Sequence, residues 1–111
     1  MRGLPMGKLI TFLFVGLFFL PALALASAGE DLFKAKGCSG CHSKGYDSFA
    51  PSLRTISKSY YKRSQDLKDF LQGKRPGLIK GEPKTMKGFI NITKRLSEKE
   101  LSALVEYLLS F

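Results

Sequence analysis

Apolar residues are distributed along this chain in two ways. From Leu9 to Leu20 they form an almost unbroken run, whereas beyond Gly29 they recur at three- and four-residue spacings among charged side chains. The last recurrence is the clearest, because Leu101, Leu104, Val105, Leu108 and Leu109 share one face of a helix. Ser97 and Glu100, just before it, have the spacing of a capping box, in which a hydroxyl and a carboxylate occupy free backbone donors at a helix start. Leu67, Phe70 and Leu71 predict a helix over 66–72, with Ser64 as a cap and Gly73 as a stop. Leu53, Ile56 and Tyr60 predict another after Pro51, and Leu32, Phe33 and Ala35 a short one between Glu30 and Lys36, ended by Gly37. From Gly73 to Ser97 the breakers Pro76, Gly77, Gly81, Pro83 and Gly88 predict a loop. No convincing strand appears, so the expected class is all-α.

The unbroken run belongs to a different kind of element. Arg2 and Lys8 precede it, and Pro21 opens a stretch rich in small residues, Ala22 to Ala28, which is the layout of a secretory signal peptide. Small-x-small cleavage patterns end at Ala26 and at Ala28. The expected organisation is therefore a signal peptide over 1–28, with cleavage after 26 as the alternative, followed by one domain over 29–111. Retention as a membrane tether is the other reading, since the apolar stretch approaches the roughly 17 residues a spanning helix needs. Either way the domain is exported, with a bacterial periplasm as the expected compartment.

The exported part has 83 residues, room for one small domain. Cores of that size usually need a disulfide, metal or cofactor as a staple. Removing Arg2 and Lys8 from the 18 basic residues leaves 16 against 9 acidic ones, a formal charge of +7. Such a balance bears on partners and not on fold. Nucleic acid is disfavoured by export and by the lack of a binding motif; an acidic protein partner or membrane surface suits the charge better.

Candidate chemistry is concentrated in Cys38-Ser39-Gly40-Cys41-His42, which holds both cysteines and the single histidine of the chain. The spacing reads as covalent c-type haem attachment: thiols at i and i+3 lie on one face of a helical turn, and the adjacent imidazole reaches the iron. A redox dithiol or plain disulfide is the first alternative, although no strand leads into Cys38 as a thioredoxin-like motif requires. Zinc is the second, but a structural site needs about four ligands. Two haem propionates, if ionised, lower the formal charge to about +5.

Haem iron held by His42 has a sixth position opposite. Met86 is the only methionine beyond the expected signal peptide and lies 44 residues after His42, far enough for the chain to pass around a haem and return on its other face. Thioether ligation favours reduced iron and raises the potential; the alternative is a packing methionine.

Over Gly29 to Phe111 the sequence resembles the class I c-type cytochromes, particularly the small bacterial monohaem proteins of the c-551 or c8 type. The residues that carry the resemblance are Leu32-Phe33-Lys34-Ala35-Lys36-Gly37-Cys38, the haem motif, Ala50-Pro51-Ser52-Leu53, the methionine segment, and Leu104 with Tyr107. The resemblance implies a cytochrome c fold of about four helices around one covalent haem c, with first and last helices crossing near Gly29, Phe33, Leu104 and Tyr107. It also implies that the Pro51 carbonyl accepts the proton on the far nitrogen of His42, a bond that fixes ring orientation; Pro51 as a simple helix starter is equally compatible. Lys87 stands where many relatives carry proline after the methionine.

The expected role is a monomeric periplasmic electron carrier with iron held by His42 and Met86 and no enzyme activity, exchanging electrons with a redox donor and acceptor. The alternatives are a haem subunit of a larger complex, or a gas-binding sensor if Met86 is not a ligand. Lys36, Lys44, Lys80, Lys84 and Lys87 are candidates for steering acidic partners, or simply solvated charge. Tyr46, Phe49, Tyr60, Tyr61, Phe70 and Phe89 are expected mainly in the haem pocket or core.

Overall fold

The computed structural model describes residues 27–111. The expected signal segment lies outside the described residues up to Ala26, and its last two positions, Ser27 and Ala28, are helical. Five α-helices and one 3₁₀ turn follow in order, with no strand among the described residues: α1 (27–35), the turn Cys38–Gly40, α2 (Leu53–Ser59), α3 (Ser64–Leu71), α4 (Lys84–Thr93) and α5 (Glu98–Leu108).

Helix α5 organises the rest. Its start is the capping box that the sequence spells out: Glu100 N–H donates to Ser97 Oγ at 3.2 Å, and Ser97 N–H donates to Glu100 Oε1 at 3.0 Å. The backbone donation from Ser97, chiefly, holds the Glu100 carboxyl below its ordinary value of 4.5. Leu101, Leu104, Val105 and Leu108 are buried against α2 and α3, each such side chain contributing about 1.5–3 kcal/mol by burial. Leu109 is only half-buried, whereas Ala103 and Tyr107, outside the expected face, are buried.

The reason is that α1 crosses α5 on a second side. A Cβ on Gly29 would overlap the carbonyl oxygen of Ala103 and stand 2.7 Å from Tyr107 Cβ, so only glycine lets the backbones approach. One turn on, the Phe33 ring packs on Tyr107 with centroids 5.5 Å apart, and Phe111 meets the other side of Tyr107 edge-on at 5.3 Å. The crossing thus falls where the resemblance implies.

Two local expectations require correction. Ser64 is the first residue of α3 and not its cap; Arg63 holds the cap position and binds Asp66 in the first turn at 2.6 Å. More consequentially, the stretch expected to be a loop from Gly73 to Ser97 contains a ten-residue helix, α4, raising the count from about four to five. Pro83, with φ −72°, sits at the cap position, where its preset φ and missing N–H suit a helix start. A Cβ on exposed Gly88 would meet nothing within 4 Å, so the residue weakens the helix, by about 1 kcal/mol relative to alanine, without breaking it. Tertiary anchoring outweighs this: α4 packs on α3, and the buried Thr93 hydroxyl donates to the Leu71 carbonyl at 2.6 Å.

What remains irregular between α3 and α4 is fastened to Tyr60, the residue that ends α2, and to α3. Tyr60 is buried, and its hydroxyl accepts from Leu78 N–H at 2.9 Å. Arg75 donates from Nη1 to Asp66 at 2.6 Å. These bonds hold the strand-free segment 72–83 as one wall of the cavity described next.

Candidate functional site

Local geometry around the cysteines starts at Gly37, whose φ of 82° ends α1 in a left-handed conformation that a side chain would resist. The chain then winds one tight turn. Cys41 N–H donates to the Cys38 carbonyl at 3.3 Å and His42 N–H to the same oxygen at 3.0 Å, which brings the two thiols to one side and sends the imidazole off directly after them.

Beyond His42 the chain folds back on itself. Leu53 N–H donates to the Ser43 carbonyl at 2.8 Å and Arg54 N–H to that of Lys44 at 3.2 Å, closing the segment between His42 and α2 into a fixed loop. Ser52 caps α2 by accepting from Thr55 N–H at 3.1 Å. Asp47 Oδ1 accepts from Ser52 N–H and from the Thr55 hydroxyl, both at 2.8 Å. These bonds, the Ser52 amide first, hold the Asp47 carboxyl below its ordinary value of 3.8.

Within that loop, His42 Nδ1 lies 2.6 Å from the Pro51 carbonyl oxygen. A carbonyl only accepts, so Nδ1 carries a proton, and in the neutral ring the lone pair is then on Nε2. The Pro51 carbonyl thus holds the ring, while Pro51 itself lies one residue ahead of the Ser52 cap and is not the first residue of α2.

Cys38, Cys41, His42, Pro51 and Met86 all line one cavity of about 310 Å³. Its remaining walls are mostly apolar, with Leu67, Phe70 and Leu71 from α3, and Leu104 and Leu108 from α5. Met86 is not in a loop, as expected, but in the first turn of α4. Phe89 and Thr93, three and seven residues on, share its helical face and line the same space, so the stripe of α4 that carries the methionine is the one turned to the cavity.

The aromatics divide differently from expectation. Tyr60 is buried and Phe70 and Phe89 half-buried on the wall, but Tyr46 and Tyr61 are about 70% and 71% exposed and line nothing. Their short turn-rich surroundings keep both rings on the outside of the His42–α2 loop and of the α2–α3 connection. Phe49 is 91% exposed yet belongs to the cavity mouth. Of the five candidate lysines, Lys80 lines the cavity, and none of the five forms an ion pair among the described residues.

The residues present suit a covalently held haem. An apolar cavity with two free thiols on one wall accepts the porphyrin disc, and Cys38, partly buried there, has its thiol pushed above the ordinary 9.0 by burial. The imidazole offers Nε2, and a soft thioether lies on another wall. The alternatives fare worse. Cys38 and Cys41 are not joined in a disulfide, and no strand precedes them among the described residues. No group of three or more histidine, cysteine or acidic side chains gathers for zinc among the described residues.

Fold and site together define a small all-helical haem protein with its attachment motif after the first helix. A family model described as cytochrome c matches residues 26–111, and the chain belongs to the cytochrome c family. Members bind covalent c-type haem with iron and serve haem-based electron transfer. Among curated proteins, no sequence matches the chain.

Proposed function

We propose that this protein is an exported, monomeric one-electron carrier in which Cys38 and Cys41 hold haem c through thioethers, His42 Nε2 and the Met86 sulfur occupy the axial positions, and no position remains for a substrate. The haem, when bound, would supply the one-electron redox chemistry, taking an electron from a reduced partner and giving it to an oxidised one. Both partners are bound transiently. The observation that supports this best is the pairing of a histidine whose Nδ1 is bound to the Pro51 carbonyl with a methionine lining the same cavity.

The protein's own contribution is ligand choice, a cavity of low polarity and fixed orientation. Thioether ligation favours the ferrous state and raises the potential. Carbonyl-bound imidazole is held in one rotation and made a better donor. Lys44, Lys80, Lys84 and Lys87 are exposed, and Phe49 offers an apolar contact at the mouth; this combination suits a weak, salt-sensitive encounter with an acidic partner surface. The periplasmic location rests on Arg2, Lys8, the apolar run and the alanines ending at Ala26 and Ala28.

Met86→Ala decides the ligand set. The variant should retain covalent haem, lose the weak sulfur-to-iron band at the red end of the ferric spectrum, bind carbon monoxide readily when reduced, and show a lower potential. A wild-type protein that already lacks the band and binds carbon monoxide would instead be a gas-binding haem protein.

A further inference from the structure

The peptide unit between Pro51 and Ser52 is held at both ends by two side chains that share no hydrogen bond with each other. Its carbonyl oxygen accepts from His42 Nδ1 at 2.6 Å, and its N–H donates to Asp47 Oδ1 at 2.8 Å. Carbonyl and nitrogen are conjugated across the amide. An ionised acceptor on the N–H therefore draws positive character onto nitrogen and moves electron density to the oxygen. Hydrogen bonds in series polarise one another in this way, and bonds to an ionised group are about twice as strong as neutral ones.

The arrangement is more than a loop fastening. Asp47 uses one oxygen for both Ser52 N–H and the Thr55 hydroxyl, so the first turn of α2 fixes where the carboxylate sits. Neither basic nor acidic side chains pair with it among the described residues, leaving its charge for the amide and the hydroxyl. Asp47 is five residues from His42, makes no hydrogen bond to the imidazole and does not line the cavity. The Pro51–Ser52 peptide is the hydrogen-bonded route from Asp47 to His42.

We propose that Asp47 is a positioning residue for His42, acting through the Pro51–Ser52 peptide: its carboxylate strengthens the Nδ1–H···O=C bond, increases electron donation from Nε2, and so lowers the reduction potential of the haem iron. This deepens the electron-carrier reading and rests on His42 being an axial ligand. The charge favours ferric iron, opposing the thioether of Met86, and the balance sets the working potential.

The single histidine makes ¹⁵N-histidine labelling residue-specific. The experiment compares haem-loaded wild type and Asp47→Asn, which keeps an oxygen acceptor in place but removes the charge. In the diamagnetic ferrous state the His42 Nδ1–H proton resonance should move upfield in the variant, and the midpoint potential should rise at both low and high salt. Direct attraction between an exposed carboxylate and iron would be screened by salt and would leave that resonance in place. An unmoved resonance, or a potential change that vanishes at high salt, overturns the proposal. Asp47→Ala, which also removes the acceptor, should shift both readouts further in the same direction; smaller shifts than in the asparagine variant would count against the relay. Failure of the underlying ligation is seen separately, in wild type: a His42 ring without the large upfield displacement of a ferrous haem ligand rejects both readings.

Discussion

Single residues carry most of the decisive constraints here, and they do so by what they lack as often as by what they bring. Gly29 is required because it has no Cβ: α1 and α5 meet at that point with Ala103 and Tyr107 in direct backbone range. Gly29→Ala should destabilise the domain by about 1–3 kcal/mol through overpacking, with chemical denaturation of the haem-loaded protein as the measurement; an unchanged midpoint would mean that the helices separate freely. His42 brings a ring with two nitrogens in different roles. The run Cys38-Ser39-Gly40-Cys41-His42 is enough to suggest haem, whereas the partner of Nδ1, Pro51, lies nine residues on and is reachable only through the family resemblance. Asp47 was not singled out at all. Spacing alone does not say which of several polar residues in a loop meets which amide, and no sequence pattern marks the bond from Asp47 to Ser52.

At the scale of elements, α5 was legible almost completely and α4 not at all. The start of α5 is a local device whose two hydrogen bonds join residues three apart, so the sequence contains the whole of it. Ser97→Ala should cost about 1 kcal/mol of stability, read as a shift in denaturation midpoint. Glu100 adds a pH dependence of known sign. Its folded pKa lies below 4.5, so its contribution is present above about pH 4.5 and disappears as pH falls through the depressed value. The stability difference between wild type and Glu100→Ala should therefore be present at neutral pH and shrink in acid; a difference that grows in acid would contradict the capping role.

Helix α4 failed to show because Pro83 and Gly88 look like breakers when read one at a time. One stands at the helix entrance and the other on its open face, positions where neither breaks it. The helix is held by distant contacts, chiefly the Thr93 hydroxyl on the Leu71 carbonyl across 22 residues. The consequence reaches the site, since a methionine in a helical turn is aimed by the helix as a whole. Tyr60 is legible in part: periodicity places it on the buried face with Leu53 and Ile56, but only the fold shows its hydroxyl fastening Leu78.

For the whole molecule, charge and the proposed export set the expectations. Electron exchange with an acidic redox protein should slow steeply as ionic strength rises, because the positive surface acts through an encounter that salt screens; a rate indifferent to salt would place docking on apolar contact alone, with Phe49 the first residue to replace. Mass spectrometry of the protein recovered from an exporting host should give a chain beginning at Ser27 or Gly29 plus one haem. An intact amino terminus would instead support the membrane tether.

The sequence by itself determined the chemistry that depends on neighbours: two thiols and an imidazole on one turn, a capped amphipathic closing helix, and an apolar run flanked by basic and small residues near the amino terminus. Such features are written within a few residues, where backbone geometry leaves little choice. Tertiary structure decided what depends on distant parts of the chain: that Met86 rides on a helix, that Gly29 is the floor of a helix crossing, and that one peptide unit links His42 to Asp47. Each of these is a contact between segments whose separation in space is set by the packing of the core, and packing is a property of the whole chain.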